Sequence, residues 1–365
     1  MTTRPGWMLV AALGGGIALA VPAFAQLSLT PPAEQKPTPH APAPKPPPPR
    51  PAPKAESKAG PKAEPKAEAK SAKPAAAKKD APAAPIDPNV DAAYGAYQLG
   101  YYRTALDLAT KRATEQNDPK SMTLIGEIYA SGLGIKRNDD KAAEWYGKAA
   151  DRGDRNAMFA LGMMKISGRG GPANRNEGAK LLASSAKLGK PEAAYNLGLL
   201  YLEGQVFPQD LKRAAELFKQ AADAGNAEAQ YALATFYKEG RGVEKNITEA
   251  TRLLGLAALA DNVDAEVEYA IALFNGTGVK KDVPTAIALL NRAARQNSPI
   301  AQNRLAHILI EGKGVPVDKI AGFKWHLIAK TAGAGDPDLD ARMAELSAED
   351  RKKAEDGARH WFGVR

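Results

Sequence analysis

The sequence predicts an all-α protein, a right-handed α-solenoid of helix–turn–helix repeats preceded by a disordered tail rich in Pro, Ala and Lys. Three observations carry this expectation. Small residues recur at intervals of 36 positions through most of the chain. An Asn or Asp stands at one fixed point of every interval, where a helix would begin. Eighteen of the 28 prolines fall between residues 26 and 89, outside the periodic region.

At the N-terminus, Arg4 precedes an apolar stretch from Trp7 to Val21, followed by Ala23-Phe24-Ala25. A positive start, a short apolar run and a small-residue site read as a secretory signal peptide over residues 1–25, cleaved before Gln26. An uncleaved anchor is the alternative, but the run is shorter than the ~20 residues a spanning helix needs. The expected location is the periplasm of a Gram-negative cell. Residues 26–89 carry 11 basic and 6 acidic side chains. This Pro/Ala/Lys-rich linker is too poor in large apolar residues to offset the entropy of ordering it. It reads as a solvated spacer or as an arm contacting an anionic polymer such as peptidoglycan.

The periodic region is built from columns. Gly132, Gly168, Gly204, Gly240, Gly276 and Gly312 recur without exception. Two residues later stand Gly134, Gly170, Val206, Gly242, Gly278 and Gly314. Glycine there ends a first helix, helix A, because it adopts the left-handed conformation without a Cβ clash. Asn138, Asn174, Asp210, Asn246, Asp282 and Asp318 then form an N-cap column that starts helix B. Helix A carries small residues at Ser121, Ala157, Ala193, Ala229, Ala265 and Ala301, where two helices approach closely. Helix B is expected to bury Trp145, Leu181, Leu217, Leu253, Leu289 and Trp325, with Ala149 and its equivalents four residues on. Gly153, Gly189, Gly225, Asp261, Asn297 and Gly333 close the units. Neither helix can bury its stripe alone, so neighbours must stack. Six such units cover 119–335, a shorter helical unit covers 90–118, and 336–365 reads as a charged capping segment.

Composition bounds the function. Most of the formal charge of +9 comes from the tail, and the body from residue 90 carries only 38 basic against 35 acidic residues. A near-neutral body argues against nucleic-acid binding. The absence of Cys excludes disulfides, thiol catalysis, thiolate metal sites and a lipidated cysteine. His40, His307, His326 and His360 lack metal-ligand spacing. His326 falls in the column of Tyr146 and Phe218 and reads as a packing residue. The Gly-x-Gly turns follow helices rather than strands, so they are caps and not phosphate loops. No enzyme, cofactor, metal or small-molecule substrate is expected.

These residues resemble the SEL-one-like repeat family, relatives of the tetratricopeptide repeats. The first unit shows it best, with Gly126, Tyr129, Gly132, Gly134, Asp140, Ala142, Trp145, Tyr146, Lys148, Ala149, Ala150 and Gly153. Lys165 and Val206 depart from the pattern in the second and third units. Residues 90–118 look like a looser tetratricopeptide-like repeat. The resemblance implies a solenoid that binds proteins and has no chemistry of its own. Secreted alphaproteobacterial members are similar in plan to periplasmic repressors of exopolysaccharide synthesis, which restrain a membrane sensor kinase. Other secreted members serve peptidoglycan or envelope assembly as scaffolds, and here a basic tail would be the tether.

In the tetratricopeptide relatives helix A lines the concave surface. Carried over, this places Phe159, Tyr195, Tyr231 and Val267 in one inward column and Met163, Leu199, Thr235 and Ile271 in another. Both columns turn polar at their ends, at Thr123 and Glu127 and at Asn303 and His307. The strip is either a groove for a protein partner, such as the periplasmic segment of an inner-membrane sensor kinase, or packing between adjacent A helices.

Overall fold

The computed structural model describes residues 91–363. The expectations for the signal peptide, its cleavage and the tail fall on residues outside this range.

The described residues form sixteen α-helices and no strand. A first pair, α1 (Ala92–Gln98) and α2 (Tyr102–Gln116), precedes six regular pairs. These are α3 (Pro119–Ser131) with α4 (Asp139–Ala150), α5 (Arg155–Ser167) with α6 (Arg175–Lys187), and α7 (Pro191–Glu203) with α8 (Leu211–Asp223). They continue as α9 (Ala227–Glu239) with α10 (Ile247–Leu259), α11 (Val263–Asn275) with α12 (Val283–Arg295), and α13 (Pro299–Glu311) with α14 (Lys319–Thr331). Two closing helices follow, α15 (Pro337–Ala344) and α16 (Ala348–Trp361). Each helix packs mainly on its sequence neighbours, α16 returns onto α14, and the all-α solenoid read from the 36-residue period is the observed architecture.

Local chemistry explains the helix ends. Each helix B from α4 to α14 starts at the expected Asn or Asp, whose side chain accepts the backbone N–H three residues on. Each helix A from α3 to α13 ends at the expected glycine in the left-handed conformation. Asp261 and Asn297 also adopt positive φ at the ends of their units, as does Asn117 one unit earlier than the repeat pattern suggested. A second capping column escaped the sequence reading. Asp118, Asp154, Asn226, Asn262 and Ser298 cap the A helices, while Lys190 makes no side-chain cap.

Packing follows volume complementarity between the helices of a pair. A Cβ on Gly126 would lie 2.7 Å from the Tyr146 ring, and one on Gly198 would lie 2.7 Å from the Phe218 ring. Later repeats carry Ala234 and Ala270 where helix B offers Leu254 and Leu290. The deepest column of helix B therefore runs Tyr146, Leu182, Phe218, Leu254, Leu290 and His326, all buried. Of the expected stripe, Leu217, Leu253 and Trp325 are buried as well, so the core face of helix B takes in both columns in those repeats. Trp145, Leu181 and Leu289 are only partly buried; in the first repeat it is the following side chain, Tyr146, that meets the small residue Gly126 of helix A. His326 is fully buried in that column, with Nε2 at 2.8 Å from Asp340 Oδ1.

The last-turn carbonyls of helix B each accept one backbone N–H from the turn that follows, and at several junctions a side chain of the next repeat supplies a second donor. Gln220 Nε2 donates to Ala186 O, Gln230 Nε2 to Ala222 O and Gln302 Nε2 to Ala294 O. Glu266 occupies the position of Gln230 and Gln302 but as a carboxylate cannot donate. Arg292 substitutes: its guanidinium donates to Glu266 Oε1 at 2.6 Å and to Ala258 O at 3.1 Å.

One junction carries a carboxylate that ties two repeats together. Asp139 accepts from Arg137 and from Arg169 of the next repeat. Hydrogen bonds from Arg137 and then Arg169 lower its carboxyl from 3.8 to about 2. A folded-state pKa depressed in this way contributes stability above the unfolded value that is lost as pH falls through the folded one. Thermal denaturation from pH 5 to pH 2 should therefore show a smaller acid-induced fall in midpoint for Asp139→Asn than for the unsubstituted chain. An equal fall in both would show that Asp139 does not contribute.

Candidate functional site

The candidate surface is the half-exposed face of the A helices that carries the two columns. Positions four residues apart share a helical face, so each A helix contributes one residue to each of two columns. Phe159 and Met163 come from α5, Tyr195 and Leu199 from α7, Tyr231 and Thr235 from α9, and Ile271 from α11, and all are half-buried. Val267 is different. It is 3% exposed and belongs to the apolar core around α12 and α13, so it offers no surface.

The rings of Phe159, Tyr195 and Tyr231 are half-buried and pack against the apolar core of the central repeats. Tyr195 lies 5.7 Å from the Phe218 ring beneath it. Burial, then the Glu228 carboxylate, raises the pKa of its hydroxyl. Tyr231 donates its hydroxyl to Glu268 Oε1 of the next A helix at 3.0 Å. Burial, followed by the charge of Glu268, holds that hydroxyl far above the ordinary tyrosine range. Phe159 has the Lys190 ammonium 5.7 Å from its ring centroid. The same side chains therefore combine the two roles the sequence left open, packing and exposure.

Polar contacts close both ends of the strip. Thr123 donates to Asp154 Oδ1 at 3.0 Å, and Glu127 accepts the Tyr146 hydroxyl at 2.9 Å. At the other end His307 Nε2 lies 2.8 Å from Asp336 Oδ2, and Nδ1 lies 3.4 Å from Glu311 Oε1. Asp336 also caps α15, so this contact ties the last repeat to the closing helices. The sequence reading missed the carboxylates beside the rings, Glu192, Glu228 and Asp264. Their signal is a constant offset of 33 residues from the aromatic column, visible only once the column is known to lie on the surface.

Among the described residues no group of three or more His, Asp or Glu is placed to hold a metal, and no helix is long and apolar enough to cross a membrane. A shallow cavity of about 610 Å³ lies beside the turn into α14, lined by Leu309, Val315, Val317, Lys319 and Asp350 among others. It is away from the aromatic column and brings no nucleophile and base together.

Paired helices capped at the same points and stacked through one small-residue column define an α-solenoid whose A helices share a surface. The chain belongs to the Sel1 repeat family, whose profile matches residues 119–154, 155–190, 191–226, 227–262, 263–298 and 299–333. Among solved structures it is similar to a Sel1 repeat protein from Oxalobacter formigenes, at 29% identity and a TM-score of 0.59, over 67% of this chain and 100% of that one. It is also similar to c5321, a protective antigen of uropathogenic Escherichia coli strains with an SLR fold. That match has 26% identity and a TM-score of 0.51, over 72% of this chain and 64% of that one. Comparison with curated proteins gave no match. Sel1 repeats are in general protein–protein interaction modules, and the family is typically non-enzymatic.

Proposed function

We propose that this chain is a periplasmic docking protein that binds a segment of a membrane or envelope protein through the concave face lined by its A helices. The observation that carries the proposal is the set of half-exposed apolar side chains repeated at one face of α5, α7 and α9 and flanked by polar ends. Aromatic anchors on a rigid scaffold are the residues that dominate protein interfaces. The apolar N-terminal run and small-residue site support export. In its most specific form, supported by the likeness in plan to secreted repressors, the partner is an inner-membrane sensor kinase controlling exopolysaccharide synthesis, held in check by this chain.

The test is in-cell crosslinking and affinity capture with the unsubstituted chain and with a variant carrying Phe159→Ser, Tyr195→Ser and Tyr231→Ser. An unchanged far-ultraviolet helical signal serves as the folding control. One envelope protein captured by the first and lost from the second supports the proposal, whereas equal capture by both removes it. The 11 basic side chains of residues 26–89 favour a second contact, with anionic peptidoglycan. Deleting these residues should abolish sedimentation with purified peptidoglycan while leaving partner capture intact. If deletion instead abolishes capture, the chain acts as a scaffold tethered by its tail.

A further inference from the structure

The rings on the A helices each have a companion carboxylate 33 residues on, in the first turn of the next A helix: Phe159 with Glu192, Tyr195 with Glu228, and Tyr231 with Asp264. The chain itself fills the first of these seats. The Lys190 ammonium lies 5.7 Å from the Phe159 ring centroid and 3.1 Å from Glu192 Oε2. An ammonium over an aromatic face with a carboxylate beside it is favourable on both counts.

The two following seats lack that internal lysine. The residues equivalent to Lys190 are Asn226 and Asn262, whose short side chains turn inward to cap α9 and α11. Glu228 and Asp264 are exposed, and neither joins an ion pair among the described residues. Near Tyr231 the cation Lys238 is held by Glu268 at 2.7 Å, which leaves Asp264 as the outer carboxylate.

We infer that the Tyr195/Glu228 and Tyr231/Asp264 seats take Lys or Arg side chains of the partner, so that the docked segment is basic. Lys190 at the Phe159/Glu192 seat is the internal example of the group they accept. This inference rests on the docking face proposed above and adds the chemistry of the segment bound there. Near-neutral overall charge in the repeats makes the local pairing of ring and carboxylate, rather than a general acidic field, the source of selectivity.

The experiment measures fluorescence anisotropy of labelled synthetic peptides titrated with the purified chain: a lysine–alanine repeat, its glutamate counterpart and a neutral leucine–serine repeat. The lysine peptide should bind in preference to the other two. Its affinity should fall about tenfold in the Glu228→Gln, Asp264→Asn double variant, a loss in the range expected for a cation–π contact with its ion pair. Asn226→Lys, which copies Lys190 into the next repeat, should weaken binding by a similar factor by filling the Tyr195 seat from within. Equal lysine-peptide affinity in these variants overturns the inference. Binding of the neutral peptide alone, lost in the serine triple variant, keeps the docking face but overturns its preference for cations. No peptide binding, together with partner capture insensitive to the triple variant, removes both proposals.

Discussion

Gly242→Ala should destabilise the protein by about 3–4 kcal/mol, whereas Gly225→Ala should cost only about 1–2 kcal/mol. Both glycines have left-handed φ, +65° and +86°. Both substitutions therefore incur the penalty of placing a Cβ in that region. They differ in what the new atom meets. Beyond Gly225 nothing lies within 4 Å, but a Cβ on Gly242 would sit 2.2 Å from Leu211 O at the start of the preceding helix B. That oxygen belongs to backbone and cannot rotate away, so two repeats must separate. Gly170 and Gly278 make the same approach, at 2.5 Å from Asp139 O and 2.6 Å from Ile247 O. The third repeat shows the alternative. It carries Val206, which is not in the left-handed region, and Phe207 of that turn stacks on Tyr201 at 4.7 Å. Urea unfolding of the two alanine variants checks the contrast, and similar midpoints would mean that the loop gives way locally.

Arg292→Ala should cost about 3 kcal/mol, and adding Glu266→Gln should recover most of it. Glu266 is fully buried, and its carboxylate keeps one oxygen without a hydrogen-bond partner even with Arg292 in place. Removing the guanidinium leaves a buried negative charge, while Ala258 O keeps the backbone N–H of Asp261 at 3.3 Å. The Arg292 side chain is nearly half exposed, so water can follow it inward, which keeps the loss at the lower end of what breaking a buried pair costs. Glutamine at 266 removes the charge and supplies the N–H donor that Gln230 and Gln302 already provide at their junctions. A double-mutant cycle by chemical denaturation measures the coupling. Additive losses would show that Arg292 acts by surface packing alone.

The parts of the fold readable from sequence were those that serve the backbone locally. A left-handed turn demands glycine, and a helix start rewards Asn or Asp, so these requirements stand at fixed positions whatever surrounds them. Burial was less legible because it depends on the neighbouring helix. In the first repeat the side chain that goes deepest on helix B is Tyr146, facing Gly126, and not Trp145, whereas Leu217, Leu253 and Trp325 are buried where the period places them. Val267 and Ile271 share a face by spacing, yet only Val267 is covered. The small and capping residues at Asp118, Asp154, Asn226 and Asn262 form a second legible column that was overlooked beside the more regular glycines. On the candidate surface the rings were readable as a column, but the carboxylates one repeat on gained meaning only from Lys190 lying between Phe159 and Glu192.

Photocrosslinking from single positions in living cells tests most directly whether the half-exposed face of the A helices is the docking surface. A photoreactive amino acid placed at Met163 or Leu199 should trap the same envelope protein from both sites. The same group at Lys180 or Ser184, exposed on helix α6, should trap none of it. Capture from α6 and not from α5 or α7 would contradict the assignment and place the partner on the B helices.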